Sequence, residues 1–573
     1  MCGITGFFIR NESTNIEKEN TYSNFLTTSI ESLKNRGPDN NNKFYNKNIG
    51  LGHTRLSIID PFERSNQPYI YKDWILVFNG EIYNYKTIKN DLKDHVKFET
   101  NSDTEVLIKS IDIFGIDNTL EKICGMYAFA AFNQNTQELF LVRDHIGMKP
   151  LFYYIDDNSD IFFASTPIAI VKGLKKKFDI NHDALASYFI LGANFMQNSI
   201  FNRIYKIEPA TYLKITKKNF IKKKYWEPKF DTNFGIDDLI SICLEHENSD
   251  VKSSIFLSGG VDSSFLTSIS RNDQLSCIHL KSNEQNYANA VAKQFNKELI
   301  ICKPGKMDLE NADIKIAETY GEPLMSAKIP YVLSSQLKNK NIKMALSANG
   351  ADELLFGYSR TPYFKYNQGL PFKEAKPIVH NIYDQLLHIF RSIENFDIEE
   401  LNLNSFKIDD IYDAVVTKNL SNNFDKNALA RWIELKTYVQ CDLNQSLDAA
   451  SMANSVEIRT PFLDKRIISG LLSKSIHELI DNKYGRKKIL KKYLSNFFPS
   501  SFFLRRKEGF SLNDEIYDNF FKSQNKTINK FNKKLFLKNK GKFYERDEIY
   551  LKQSIYSFVK WKEVNNKFLN YEF

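Results

Sequence analysis

Ser258-Gly259-Gly260-Val261-Asp262-Ser263-Ser264 is entered from Ile255-Phe256-Leu257 and left through Phe265-Leu266-Thr267-Ser268-Ile269. An apolar triplet, a Gly-Gly turn and a helix start carrying hydroxyls and a carboxylate predict a buried strand feeding a helix. The free N–H groups and positive dipole end of such a helix bind an anion, and phosphate is the guest these residues suit. No Lys follows the glycines as in G-x-x-x-x-G-K-[ST], so the turn is not a kinase-type P-loop; Asp262 is instead placed to hold Mg²⁺ against phosphates. Taken alone, the stretch also reads as a Gly-rich turn with Ser and Asp caps.

Downstream the pattern alternates, with strands expected over 276–280 and 343–346 and a helix over 287–295, the layout of a parallel sheet that binds nucleotide at its carboxyl edge. The last of these strands runs into Ser347-Ala348-Asn349-Gly350-Ala351-Asp352-Glu353. Further on come Ser451-Met452-Ala453-Asn454-Ser455-Val456-Glu457-Ile458-Arg459-Thr460-Pro461-Phe462-Leu463-Asp464 and Arg505-Arg506-Lys507-Glu508-Gly509-Phe510. The opening loop resembles the PP-loop of ATP pyrophosphatases. The later stretches resemble the S-G-[ED]-G-x-D-E and S-M-A-x-S-x-E-x-R-x-P-F-L-D signatures of the asparagine synthetase family. That resemblance implies an ATP site of Leu257, Ser258, Gly259, Gly260, Asp262, Ser263, Ser264, Ser347, Ala348 and Asp352. It also implies that Asp262 and Asp352 hold Mg²⁺ and pyrophosphate, and that Lys507 stabilises charge on the adenylate. Asp352 as a mere helix cap is the competing reading.

The N-terminal half begins Met1-Cys2-Gly3-Ile4-Thr5-Gly6. Cys at position two permits removal of the initiator Met, which leaves a thiol beside an α-amino group of pKa roughly 7.7–8.0, nucleophile and base in one residue. Alone, Cys2 could equally be a small buried residue opening a strand. A series follows it in order: Asn35-Arg36-Gly37-Pro38-Asp39, His53 to Asp60, Gln67-Pro68, Phe78-Asn79-Gly80-Glu81-Ile82-Tyr83-Asn84, Thr100 to Glu105, and Arg143 to Leu151. Together these resemble the class II glutamine amidotransferase domain. Glutamine's α-carboxylate suits a planar guanidinium, a role the resemblance gives to Arg55, and its α-ammonium suits a buried carboxylate, given to Asp103. Asn79 and Gly80 are implied as the oxyanion hole, with Leu56, Ser57, Ile58, Ile59 and Glu81 completing the glutamine site. Each has a mundane alternative: Asn79-Gly80 is also a strong hairpin signal, and Arg55 or Asp103 could be surface charges. Strands are expected over 74–78, 126–132 and 139–142, and helices over 24–34, 85–92 and 104–114.

At 573 residues the chain should divide into two large domains. We place a glutaminase domain at 2–216, a Lys-rich linker at 217–235 and a synthetase domain at 236–573. The fold expected from the resemblance is a four-layer αββα N-terminal-nucleophile domain followed by an α/β parallel-sheet domain. Hydrophobic content of 42% and charged content of 26% are those of a soluble protein. No run reaches the roughly eighteen apolar residues of a membrane helix, and no signal peptide is legible, so a cytoplasmic location is expected. The net charge of +9 is spread along the chain without a nucleic-acid motif, so neither nucleic acid nor membrane is an expected partner. Six scattered cysteines without a C-x-x-C pair argue against a disulfide framework or structural zinc.

The combined expectation is a glutamine-dependent asparagine synthetase taking glutamine, ATP and aspartate, with Mg²⁺, as a homodimer. Departures bear on the acceptor. Asn349 stands where the family has an acid and cannot take up a proton, Ala348 replaces a Gly, and Ser446 and Ala449 replace a Lys and an Arg. Amidation of another carboxylate, such as a surface-sugar precursor, and a catalytically silent scaffold are the alternatives.

Overall fold

The computed structural model describes residues 2–10, 16–358, 425–505 and 545–570. Two antiparallel six-stranded sheets make the N-terminal half. The first runs β10 (Ile204–Lys206), β8 (Phe152–Ile155), β9 (Ile161–Ala164), β1 (Gly3–Phe8), β3 (Ile49–Arg55), β2 (Asn40–Asn46). The second runs β12 (Phe220–Lys224), β11 (Thr211–Ile215), β7 (Glu138–Arg143), β6 (Gly125–Asn133), β5 (Trp74–Ile82), β4 (Tyr69–Tyr71).

Strand periodicity builds the layers. Ile4 and Phe8 of β1 face Ile75 and Val77 of β5, with Ala128 and Ala130 of β6, in a core between the sheets. Phe7, one residue out of phase, packs instead against Phe25, Leu26 and Ile30 of the helix Ile16–Ser32. On the far side Leu76 and Phe78 pack against Val106 and Leu107 of the helix Asp103–Lys122. Each such side chain, fully buried, stabilises by roughly 1.5–3 kcal/mol, and the arrangement is the expected αββα sandwich.

The local alternatives at β5 and at the boundary resolve differently from the bare signals. Asn79-Gly80 is no hairpin: both lie inside β5, opposite Ala128 and Tyr127 of β6. The stretch expected as a linker, 217–235, begins with β12, which pairs with β11 along the sheet edge. Its lysines 222–224 are exposed there, as charged residues on an edge strand that resists further pairing. The helix expected over 104–114 extends to Lys122 across a break at Gly115, whose φ of 75° only Gly adopts without strain.

The C-terminal half holds a parallel sheet, β15 (Leu299–Cys302), β14 (Ser276–Leu280), β13 (Ser253–Phe256), β16 (Met344–Leu346), β17 (Glu457–Arg459). Strand order reverses between β13 and β16, so the loops leaving their carboxyl ends diverge and open a crevice. Ser258–Ser264 and Ser347–Asp352 follow those two strands. No helix among the described residues is long and apolar enough to cross a membrane.

Candidate active sites

The first site is a cleft of about 380 Å³, including its open mouth, at the end of β1 and β5. Cys2, Arg55, Leu56, Ile58, Ile59, Gly80, Glu81 and Asp103, all named in the sequence reading, line it. Ser57 does not; its N–H donates to Asp39 Oδ2 (2.7 Å). Asn79 Oδ1 accepts from the Cys2 nitrogen (2.9 Å), while its fully buried Nδ2 has no partner among the described residues. A buried amide donor left open costs stability, and Asn79 itself is not among the residues that line the cleft. At the next residue a Cβ on Gly80 would lie 2.1 Å from the Met126 carbonyl oxygen, so the sheet admits only Gly there.

Arg55 is held by main-chain carbonyls rather than by a carboxylate. Its Nη1 donates to Phe62 O (2.7 Å) and Asn66 Oδ1 (2.8 Å), and its Nη2 to Asp60 O (2.7 Å). Neutral acceptors fix the guanidinium plane and leave its charge uncancelled for an anion. Burial pushes the Cys2 thiol up, an effect that hydrogen bonding from Leu56 and the charge of Arg55 oppose.

The opposite wall is acidic. Asp103 opens its helix and accepts from the Ile82 N–H (3.0 Å). Burial, with Glu457 nearby, pushes its carboxyl up to about 6 against the opposing Ile82 hydrogen bond and Arg459 charge. Glu81 is pushed up by burial too, although Arg459 Nη2 donates to its Oε2 at 2.9 Å. Arg459 also pairs through Nε with Glu457 Oε1 (2.6 Å) and donates through Nη1 to Asn248 O (2.6 Å). Glu457 thus lines the cleft from β17, a strand of the other domain's sheet. The sequence reading gave it no role; nor did it assign Ser65, Gln67, Phe78, Ser102 or Thr104, which also line the cleft.

One expectation follows for binding. An ammonium ligand needs Asp103 ionised, so affinity is complete above the raised pKa and falls as pH drops through about 6. The KM for an α-ammonium substrate should rise about fivefold between pH 6 and pH 5, and Asp103→Asn should flatten that dependence. Initial-rate titration at both pH values checks it.

The second site lies at the crevice. After β13, Gly259 takes a φ of 82° and the helix Val261–Ile269 starts at once. Ser263 Oγ receives the Ser258 N–H (3.1 Å) and sits 3.0 Å from Ser258 Oγ, which accepts from the Gly260 N–H (3.2 Å), so the loop is tied into a cradle. Ser264 Oγ is buried without a partner among the described residues. Leu257 is fixed by its N–H to Ile278 O (2.9 Å), and Ser347 by its N–H to Arg459 O (2.8 Å). Ala348 is half-buried between Ser347 and Asn349.

Asp262 and Asp352, from separate loops, converge on one cation that sequence reading passed over. Lys487 Nζ lies 2.5 Å from Asp262 Oδ2 and also bonds Asp352 Oδ1. The Lys487 backbone is left-handed (φ 61°), a strained state for a side-chain-bearing residue. Both carboxylates offer the hard oxygen donors that a divalent ion such as Mg²⁺ takes, and would hold it if the ammonium moved aside. Lys507 lies outside the described residues.

The glutamine amidotransferase domain family model matches residues 1–226, and the asparagine synthase family model matches residues 236–545. The chain is 28% identical over 564 residues to a Bacillus subtilis protein named glutamine-hydrolysing asparagine synthetase 1, covering 89% of this chain and 87% of that one. It is 26% identical over 578 residues to asparagine synthetase 2 of the same organism, covering 90% of this chain and 72% of that one.

Proposed function

Because this chain belongs to the asparagine synthase family, we propose that it makes asparagine from aspartate, using glutamine as nitrogen donor and ATP with Mg²⁺ to activate the acceptor. Its relatives are named glutamine-hydrolysing asparagine synthetases, and its two domains are consistent with glutamine hydrolysis and ATP-dependent amidation. The observation that carries the proposal is the unpartnered Asn79 amide beside Cys2.

With Met1 removed, the Cys2 amine takes the thiol proton and the sulfur attacks the glutamine amide carbon. The oxyanion forms against Asn79 Nδ2 and the Gly80 N–H. Arg55 holds the α-carboxylate and Asp103 the α-ammonium. Ammonia leaves, and water releases glutamate from the thioester. In the second site the cradle after β13 holds ATP phosphates. Asp262 and Asp352 would hold Mg²⁺, which when bound screens phosphate charge. The acceptor carboxylate displaces pyrophosphate to give an adenylate, and ammonia converts that to the amide, releasing AMP. Lys507 is assigned to charge on the adenylate by its place in the motif. Operation in a reducing cytoplasm is part of the same reading, supported by six cysteines that are all buried and unpaired.

A second reading keeps this chemistry and changes the acceptor. It is favoured by Asn349, whose Oδ1 accepts from Ser347 Oγ (3.0 Å) where the family has an acid, and by Ser446, whose Oγ bonds Asp442 Oδ1 (3.0 Å) where the family has a Lys. The test is pyrophosphate release with ATP, Mg²⁺ and glutamine, with and without aspartate, and asparagine detected by mass. Aspartate-dependent pyrophosphate with equimolar asparagine is expected. Glutamine hydrolysis without that response would transfer the proposal to another carboxylate.

A further inference from the structure

Arg36 connects the main chain of Cys2 to the other domain. It follows the helix Ile16–Ser32 in a loop pressed on β3, where a Cβ on Gly37 would sit 2.3 Å from the Thr54 carbonyl oxygen. Its Nε donates to the Cys2 carbonyl oxygen (3.1 Å). Its two terminal nitrogens form a fork on Asp448, Nη1 to Oδ2 at 2.8 Å and Nη2 to Oδ1 at 3.1 Å. Asp448 belongs to the synthetase-half helix Asn444–Met452. The side chains of Arg36 and Asp448 are 3% and 2% exposed. Lys149 Nζ, equally buried, lies 3.6 Å from Asp448 Oδ1, so one carboxylate compensates two cations. Ser455 Oγ binds the neighbouring Asn35 carbonyl (2.6 Å), a second hold on the same loop from the same half.

From this geometry we propose that Asp448 is a positioning residue for glutamine hydrolysis, acting from the synthetase half through Arg36 on the main chain of Cys2. A bidentate pair fixes the guanidinium plane, and with it the direction in which Nε donates. Without the carboxylate, Arg36 loses the fork that sets its contact with Cys2, while Lys149 keeps the charges of Glu457 and Asp144 nearby. Neither Arg36 nor Asp448 lines the glutamine cleft, so the effect falls on the placement of sulfur and amine more than on binding. The glutaminase is then competent only with the synthetase helix docked, and ammonia is made where it can be used.

This proposal rests on the reading of Cys2 as nucleophile, so Cys2→Ala is assayed beside the test variants. If glutamate release survives in that control, the nucleophile reading itself has failed. The experiment measures glutamate release by full-length enzyme for Asp448→Asn, Arg36→Gln and the double variant, with melting temperatures. We expect kcat to fall by about 10–100-fold in each single variant, as for small misplacements of reacting groups. KM for glutamine should stay within about twofold, and the double variant should be no worse than the worse single one, since both changes break one linkage. Losses that multiply, a rise in KM without a fall in kcat, or unchanged hydrolysis would each overturn it. Should Asp448→Asn not fold, Asp448→Glu decides: it keeps the negative charge but moves the fork, so kcat should fall with KM for glutamine held. Unchanged kcat in folded Asp448→Glu counts against the proposal.

Discussion

Cys2→Ala should abolish glutamate release, by at least about a thousandfold, because removing the nucleophile of a covalent hydrolase forfeits the acyl intermediate on which the other groups act. The sulfur sits at the end of β1 with Arg55, Gly80 and Asp103 around one cleft. None of these supplies a substitute: the guanidinium has no basic form near neutral pH, and Gly80 offers only its N–H. The same variant, given ammonium salts in place of glutamine, should still release pyrophosphate and form the amide, since the crevice between β13 and β16 lies in the other sheet. Loss of one buried sulfur leaves the hydrogen bond of the Cys2 nitrogen to Asn79 in place, so the melting temperature should hold within a few degrees. Glutamate assayed by an enzyme-coupled method settles it; retained hydrolysis at near wild-type rate would remove Cys2 from the reaction.

The second large effect is expected at Lys487. Its ammonium is bonded to Asp262 and Asp352, and the exposures of the Lys487, Asp262 and Asp352 side chains are 6%, 5% and 22%. Lys487→Met keeps the side-chain length and removes the charge. Two carboxylates are then left facing each other at the phosphate end of the crevice, a loss of about 3 kcal/mol by analogy with breaking buried pairs, reduced by the partial exposure of Asp352. Pyrophosphate release should fall by at least about 100-fold, the scale for removing one preorganised charge from a site where negative charge develops. Glutamine hydrolysis should change only a few-fold, because Lys487 does not line that cleft. A diagnostic accompanies the loss of activity: Mg²⁺ should raise the melting temperature of Lys487→Met more than that of wild type, since the vacated carboxylate pair gains affinity for a divalent ion. Equal Mg²⁺ responses would mean that Asp262 and Asp352 do not share the ion.

These outcomes bear on the two departures in the acceptor region. Asp442 receives hydrogen bonds from Ser326 Oγ (2.6 Å) and Ser446 Oγ (3.0 Å), and burial pushes its carboxyl up to about 6 against both bonds. The hydroxyl of Ser446 thus satisfies an acid that a Lys would have neutralised. The surroundings of Ser446 are consequently less positive than the family motif implies.

Much of the first site was legible because its chemistry is local. The grouping of Cys2, Arg55, Asn79-Gly80 and Asp103 came from the resemblance, and the structure brings Cys2, Arg55, Gly80 and Asp103 to one cleft with Asn79 bonded to the Cys2 nitrogen. The short motifs around them meet because the start of β1 pairs beside the end of β3, and β5 of the facing sheet brings Asn79 to the Cys2 nitrogen. The phosphate cradle was legible for the same reason, since Ser258 to Ser264 bond within themselves. Local signals misled where pairing partners decide. Asn79-Gly80 has the composition of a turn, yet β6 continues alongside and keeps it extended. The lysines at 222–224 looked like linker, yet β11 accepts them as an edge strand.

By itself, then, the amino-acid sequence led, through its family resemblance, to the αββα and parallel-sheet classes that the structure has, and to two halves that the two family models also separate. Only the tertiary structure decided which charges meet. Glu457 closes the glutamine cleft from the synthetase sheet, Lys487 reaches an aspartate 225 positions away, and Arg36 grips Asp448 across 412. A lysine or aspartate on such a pair resembles every other one in a chain with 78 basic and 69 acidic residues. Coulombic and hydrogen-bond energies depend on separation and burial, and those are set by how sheets and helices stack rather than by adjacent residues.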